Sequence, residues 1–263
     1  MGRWLQKTKL YHKIICMRFR PILVFDSGIG GLSTLCSLKE EMPNEDFVYV
    51  ADFLNSPYGN KTKREIEKVV TLSLKRCVEK FKPKCVVVAC NTATAVCINH
   101  LRKSFFIPVF GCEPAVKMAK KSGKQKILVL CTRATKKYSR FLKEFDDITI
   151  FSPNKLAGMI DDNFFARDQI VSYLQKSLKN FENKFDAVVL GCTHYCLFKK
   201  DIENILGCPS FEGNKSIAVF VKSAIDSKSK KKGKIFLFST DPQKQQYLEK
   251  CHKMKKGEKI CVE

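Results

Sequence analysis

The sequence has no run of 18 consecutive apolar residues, no Cys-x-x-Cys pair and few arginines for so basic a chain. The missing apolar run argues against a transmembrane helix, and we expect no membrane partner. The 13 cysteines are an odd number without zinc-ligand spacing, which argues against a secreted disulfide framework and a structural zinc site. Residues 1–16 do not form a good signal peptide, so we expect reduced thiols and a cytoplasmic location.

Lysine is what the chain has in excess. It holds 48 Lys+Arg against 26 Asp+Glu, for a formal charge of +22, and most of that excess lies in residues 1–20 and 222–263. Sites that read nucleic-acid bases favour arginine forks, whereas lysine outnumbers arginine 39 to 9 here. We therefore interpret the charge as solvated surface and expect no nucleic-acid partner. Phosphate binding by the lysine run at 228–234 is the alternative.

The strand and helix pattern begins after residue 16. We interpret residues 1–16 as an N-terminal extension, with a regulatory arm as the alternative. Short apolar runs, typical of buried parallel strands, alternate with helical segments; they lie at 21–25, 47–51, 85–89, 109–110, 127–130, 148–151, 187–190 and 234–238. Helices are predicted over 135–145 and along a stripe formed by Ile66, Val69, Leu72, Cys77, Val78 and Phe81. The order predicts an α/β fold with mainly parallel strands.

A weak internal repeat divides the chain into two halves. Residues 22–27 (ILVFDS) are similar to 127–132 (ILVLCT), and residues 87–92 (VVACNT) are similar to 189–194 (VLGCTH). The offsets of 105 and 102 residues indicate two halves of like topology. Each half thereby places one cysteine, Cys90 or Cys192, just past the C-terminal end of a buried strand, where open α/β sheets bind ligands.

These two cysteines are the strongest chemical signal. Each is followed at once by hydroxyl or amide side chains at a predicted helix start, and helix N-termini lower thiol pKa values and bind carboxylates. Two thiols around one small molecule suggest removal of a proton from one face of a carbon and delivery of a proton to the other. That chemistry is racemisation without a cofactor or metal. Structural roles for either thiol, taken alone, remain the alternative.

Four segments carry a family resemblance: residues 26–33 (DSGIGGLS), 57–59 (PYG), 89–95 (ACNTATA) and 190–195 (LGCTHY). They resemble the glutamate racemases of the aspartate/glutamate racemase family. The related aspartate racemases share both cysteines but usually carry Glu where His194 stands, and they lack the Asp-Ser-Gly-x-Gly-Gly opening.

The resemblance implies cofactor-independent interconversion of L- and D-glutamate, which supplies D-glutamate to peptidoglycan. It implies that Cys192 acts on the L-enantiomer and Cys90 on the D-enantiomer, and that Asp26, His194 and Asp161 assist them. It also implies a set of substrate-site positions, which are Asp26, Ser27, Tyr58, Gly59, Asn91, Thr92, Thr132, Thr135, Thr193 and His194. No metal site is implied. The alternatives are a racemase of another amino acid, such as aspartate, and a basic, nucleic-acid-binding protein on the same scaffold.

The fold implied by the resemblance has two pseudo-symmetric α/β domains with the active site in the cleft between them. One domain would comprise residues 17–112 and 211–263, and the other residues 113–210. A homodimer is common in the family, although the sequence does not indicate a pairing mode.

Three positions depart from the family pattern. Asp161 stands in a stretch where the family often has a Glu-Glu pair, and because its side chain is one methylene shorter we expect it to reach its partner through water. Cys196 replaces a usual proline and Cys131 a usual glycine. These departures leave the turnover rate open.

Overall fold

The protein is built from two separate parallel sheets. The computed structural model describes residues 20–226 and 231–255, so the predicted extension at 1–16 and part of the lysine run lie outside the described residues. The described strands are β1 (Ile22–Asp26), β2 (Phe47–Ala51), β3 (Cys85–Val88), β4 (Val109–Gly111), β5 (Ile127–Cys131), β6 (Ile148–Phe151), β7 (Ala187–Gly191), β8 (Ser210–Phe211) and β9 (Ile235–Ser239).

Helices connect and cover these strands. In chain order, the α-helices of the described residues are α1 (Leu32–Glu41), α2 (Lys63–Phe81), α3 (Asn91–Ser104), α4 (Val116–Lys121), α5 (Arg133–Tyr138), α6 (Leu156–Asn163), α7 (Arg167–Leu178), α8 (Lys199–Leu206), α9 (Asn214–Ala224) and α10 (Gln245–Lys255). Across the same ranges, none of them has the length and apolar character needed to cross a bilayer.

Four strands of each sheet follow the same order, which confirms the predicted pseudo-symmetry, and β9 adds a fifth strand to the first sheet. The first runs β4-β3-β1-β2-β9, and the second, read in the matching direction, runs β8-β7-β5-β6. All adjacent strands are parallel. The central strands pair in like register, since Ile22 lies opposite Cys85 and Ile127 lies opposite Ala187. The observed α/β class therefore agrees with the prediction.

Apolar burial explains why these runs form strands. All residues of β1, β2, β3, β5 and β7 are buried, as expected for strands covered by helices on both faces. The carboxyl ends of these strands carry the polar motifs. The fold thus separates a buried apolar interior from one polar edge in each half.

Two helix predictions are wrong in detail. In α2 the buried stripe consists of Ile66, Val70, Leu74, Cys77 and Phe81, whereas Leu72 is 45% exposed. The predicted helix over 135–145 is broken after α5, because Ser139 takes an extended conformation and its hydroxyl accepts from the backbone N–H of Leu142. A short 3-10 turn, Phe141–Glu144, follows.

The chain returns to the first half after β8. Strand β9 pairs with β2, and Thr34 of α1 donates a hydrogen bond to Asn214 of α9 at 2.6 Å. The strands of the first sheet therefore come from residues 22–111 and 235–239, and those of the second from 127–211. The domain limits given above stay a prediction; one of them, between residues 210 and 211, falls within β8.

Candidate active site

A cavity of about 330 Å³ lies where the carboxyl edges of the two sheets meet. In each sheet the chain passes from the central strand, β1 or β5, to a strand on one side and then crosses to a strand on the other side. In α/β folds a ligand crevice opens where the strand order reverses in this way. Ten predicted site residues line the cavity: Ser27, Tyr58, Gly59, Cys90, Asn91, Thr92, Thr132, Asp161, Cys192 and His194. Asp26, Thr135 and Thr193 do not line it and instead hydrogen-bond one another or lining residues.

The two thiols come from opposite halves, and each is only 5% exposed. Cys90 caps α3 and lies 3.7 Å from the Ser27 hydroxyl, and the Cys192 sulfur lies 3.8 Å from Nδ1 of His194. Burial, followed by the charge of Asp26, raises the pKa of the Cys90 thiol to about 12, although the backbone N–H of Ala93 opposes this. The helix terminus thus lowers the pKa of Cys90 as expected, but burial raises it by more, so the net shift is upward.

Beside Cys192 lies an ion pair. His194 Nε2 is 2.8 Å from Oδ1 of Asp161, and both side chains are nearly inaccessible to solvent. Burial opposes both charges, but the two groups stabilise each other, so the pKa of His194 lies well above its usual value and that of Asp161 below. The contact is direct, so the expectation of a water-mediated contact is wrong. Helix α6 brings Asp161 close enough to compensate for its short side chain.

Beside Cys90 the polar partner is a carboxyl group. Asp26 ends β1, and its two oxygens accept from the backbone N–H of Gly28 at 3.0 Å and from the Thr193 hydroxyl at 3.1 Å. Burial raises the pKa of Asp26 to about 6, although the positive charge of His194 opposes the shift. Asp26 therefore loses its proton near pH 6. One of its oxygens accepts a hydrogen bond from Thr193, a residue of the second half.

The glycines after β1 make room for the second half. A Cβ atom on Gly28 would lie 2.0 Å from Oδ1 of Asp161, and one on Gly30 would lie 2.5 Å from the backbone nitrogen of His194. Both distances are shorter than real contacts allow. The Asp-Ser-Gly-Ile-Gly-Gly segment is thus a surface shaped for side chains from the other half rather than only a tight turn.

A cluster of three threonine hydroxyls crosses the cleft. Thr92 of α3 lies 2.8 Å from the hydroxyl of Thr132 and 3.1 Å from that of Thr135, which belong to the second half. Tyr58 and Asn91 line the cavity with their polar groups already engaged. The Tyr58 hydroxyl donates to Asp52 at 2.5 Å, and the Asn91 amide donates to the carbonyl of Cys112 at 3.0 Å.

Several lining residues were not predicted, among them Ser56, Arg133, Lys155 and Tyr195. Ser56 precedes the Pro57-Tyr58-Gly59 motif, and Arg133 and Tyr195 each follow a predicted residue, so proximity to the motifs was the available signal. Lys155 had no such signal, since it precedes a helix that the sequence did not reveal. No cluster of three metal-binding side chains occurs within the described ranges.

The comparisons with known proteins agree with this geometry. Residues 38–221 match the family model described as Asp/Glu/Hydantoin racemase. The chain belongs to the Asp/Glu/Hydantoin racemase family. Glutamate racemase 2 of Bacillus subtilis is similar to it, with 37% identity over 193 residues, or 70% of this chain and 72% of that protein.

Solved structures of racemases resemble the whole fold. Glutamate racemase isoform RacE1 from Bacillus anthracis superposes with a TM-score of 0.78 at 25% identity, covering 94% of this chain and 98% of that one. The Escherichia coli glutamate racemase, solved with L-glutamate and the activator UDP-MurNAc-ala, gives 0.77 at 27% identity, covering 88% and 95%. These family members share the two-sheet α/β architecture described above.

Proposed function

We propose that this protein is a glutamate racemase that interconverts L- and D-glutamate without a cofactor and so supplies D-glutamate for peptidoglycan. One observation carries the proposal: two cysteines from pseudo-symmetric halves line the same small cavity, Cys192 beside the His194 ring and Cys90 within the influence of the Asp26 charge. The glutamate racemases among the similar proteins support glutamate as the substrate.

The reaction needs one proton removed and one delivered. In the L-to-D direction the Cys192 thiolate takes the α-proton and becomes a thiol, and the electron pair of the broken C–H bond stays on the α-carbon. The Cys90 thiol then donates its proton to the opposite face and becomes a thiolate. The reverse direction exchanges the roles. Protons balance, and neither oxidant nor reductant is consumed.

The neighbouring groups adjust the charge of each thiol. His194, held as an imidazolium by Asp161, stabilises a thiolate at Cys192. On the other side, Asp26 disfavours a thiolate at Cys90 until the ammonium group of the substrate adds positive charge to the cavity. Hydroxyl and backbone donors that line the cavity would bind the substrate carboxylates; they belong to Ser27, Gly59, Thr92 and Thr132. Four further residues, whose side chains already hydrogen-bond within the protein, would hold this lining in place; they are Tyr58, Asn91, Thr135 and Thr193.

Three further features belong to the proposal. The domains comprise 17–112 with 211–263, and 113–210, so that the cavity lies between them. The location is cytoplasmic, a view supported by the absence of disulfides among the cysteines of residues 20–226 and 231–255. We also propose a homodimer, as is common among glutamate racemases, without assigning its interface.

Circular dichroism tests the function directly. Purified protein without pyridoxal phosphate should make the signal of L-glutamate and of D-glutamate decay to zero, and in deuterated water both should gain deuterium at the α-carbon. L-aspartate is the matched substrate control and should react far more slowly. No decay with glutamate would refute the proposal, and faster decay with aspartate would assign the other substrate.

A further inference from the structure

Ser56 lies at the cavity, and its hydroxyl is within hydrogen-bond distance of a residue from the other half of the molecule. It precedes the Pro57-Tyr58-Gly59 motif in the loop after β2, whereas Asp161 lies on α6 in the second half. The Ser56 hydroxyl donates to Oδ2 of Asp161 at 2.9 Å. No family motif quoted above includes this position, and the proposed mechanism assigns it no role.

The Asp161 carboxylate collects donors from three different loops. Oδ1 accepts from His194 Nε2 at 2.8 Å and from the backbone N–H of Ile29 at 3.0 Å. Within the described residues Ser56 is the donor to Oδ2. Two of these three donors, Ile29 and Ser56, come from the first half, so the carboxylate is fixed from across the cleft.

Burial makes each of these donors count. The Asp161 side chain is about 4% exposed, so water cannot readily replace a lost hydrogen bond. The backbone N–H of Ile29 is present whatever the side chain, which leaves Ser56 as the one donor to this carboxylate from the first half that a substitution can remove. A carboxylate free to rotate would lose its alignment with His194.

We propose that Ser56 is a positioning residue whose hydroxyl, supplied by the first half, holds the Asp161 carboxylate in line with His194 in the second half. The inference rests on the proposed function, in which the His194–Asp161 ion pair prepares Cys192. Ser56 acts through Asp161 and touches no reacting atom. The His194–Asp161 pair of the second half thus depends on two donors from the first half, Ser56 and Ile29.

Removal of the hydroxyl should narrow the pH range of activity. Loss of a donor raises the pKa of Asp161, so the acid limb of kcat/KM moves to higher pH. A carboxylate that turns out of line with His194 stabilises the imidazolium less, so the basic limb moves to lower pH. Other titratable groups face the pair from β1, β2, the loop after β7 and α10, and their contribution is common to all variants; they are Asp26, Tyr49, Cys192, Tyr247 and Cys251.

The test compares Ser56→Ala with Ser56→Thr, which keeps a hydroxyl. We expect Ser56→Ala to lower kcat about tenfold with little change in KM, and to move the limbs inward by about one pH unit in total, while Ser56→Thr keeps the wild-type profile. Ser73→Ala is the matched control, because Ser73 donates to the buried carboxylate of Asp52 at 3.2 Å. It should leave both limbs in place.

Two results would overturn the proposal: a uniform fall in rate with unmoved limbs in Ser56→Ala, or Ser56→Thr behaving like Ser56→Ala. A second measurement does not depend on turnover. Titration of the His194 ring by NMR, assigned with His194→Gln, should give a lower pKa in Ser56→Ala than in the wild type, and equal values would refute the role. If the wild type failed to racemise glutamate, the NMR comparison would still decide the matter for Ser56.

Discussion

The two halves of this molecule share a strand order and a cysteine position, but they surround the cysteine with different chemistry. Cys90 lies near a buried carboxyl group, Asp26, whose pKa is raised to about 6, while Cys192 lies beside an imidazolium held by a carboxylate. The carboxylate near each thiol also receives a hydrogen bond from the opposite half of the molecule, since Thr193 donates to Asp26 and Ile29 donates to Asp161. A repeated scaffold thus fixes the positions of the thiols, whereas the charged groups beside the two thiols differ.

The largest expected effect is loss of either thiol. Cys90→Ser or Cys192→Ser should reduce racemisation by about 10³-fold or more, because a serine hydroxyl is far less acidic than a thiol. Cys97→Ser is the matched control, since Cys97 is fully buried in α3 of the first half and outside the cavity lining. Polarimetry or circular dichroism measures all three. Full activity in one cysteine variant would mean that the halves are not functionally paired.

Gly28→Ala tests whether the first half is shaped around the second. Its Cβ atom would collide with Asp161, and a displacement of about 1 Å at a catalytic group costs roughly 100-fold in rate. Gly158→Ala is the matched control, because a Cβ atom there meets nothing within 4 Å. Steady-state kinetics at pH 8 compares them, and equal activity in the two variants would contradict the packing argument.

Asp26→Asn should have opposite effects on stability and on activity, raising the free energy of unfolding at pH 8 while reducing turnover. Because the pKa of Asp26 is raised in the folded state, its protonation favours folding; that contribution is complete below the unfolded pKa near 3.8 and is lost as the pH rises through about 6. At pH 8 the neutral amide avoids a buried charge, so we expect a stability gain on the order of 2 kcal/mol with reduced turnover. Urea unfolding at pH 5 and pH 8 measures it, and an equal effect at both would contradict the raised pKa.

The smallest expected effect concerns the return of the chain to the first half. Thr34→Val removes the donor to the buried Asn214 and should destabilise the protein by about 1–2 kcal/mol without changing kcat. Thr71→Val is the matched control, because the buried Thr71 hydroxyl has no hydrogen-bond partner within residues 20–226 and 231–255, so its loss should be neutral or stabilising. Thermal unfolding compares them; a destabilised Thr71→Val would argue that hydroxyl loss as such is responsible.

The buried strands could be predicted because apolar runs such as Ile22–Phe25 and Ile127–Leu130 have one stable environment, the interior of a parallel sheet. The α2 stripe was wrong because Leu72 adds a second apolar face, and sequence alone does not say which face is covered. Helix α6 escaped prediction because its N-cap residue, Lys155, adopts a left-handed conformation with φ of 64° and gives no capping signal. The helix also contains Gly158, which weakens the helical pattern.

The site residues likewise divide into those that the sequence could predict and those that it could not. Both cysteines, His194 and Asp26 follow predicted strands, so topology placed them at the sheet edges in advance. The position of Asp161 came from the family resemblance, and its direct contact with His194 depends on how closely α6 approaches the glycine segment. Ser56 could not be recognised, because its contact joins residues 105 positions apart and no periodicity encodes it.

The burial of both thiols has a consequence for the kinetics of the proposed reaction. Each turnover leaves the two sulfurs with their protonation states exchanged, so the enzyme that has just made D-glutamate is prepared to accept D-glutamate again. Before the enzyme can accept L-glutamate again, the two sulfurs must return to their starting protonation states by proton exchange with water. Because each thiol is only 5% exposed, water has little access for this exchange. At high substrate concentration we therefore expect this proton exchange, and not only the cleavage of the carbon–hydrogen bond, to limit the rate of turnover.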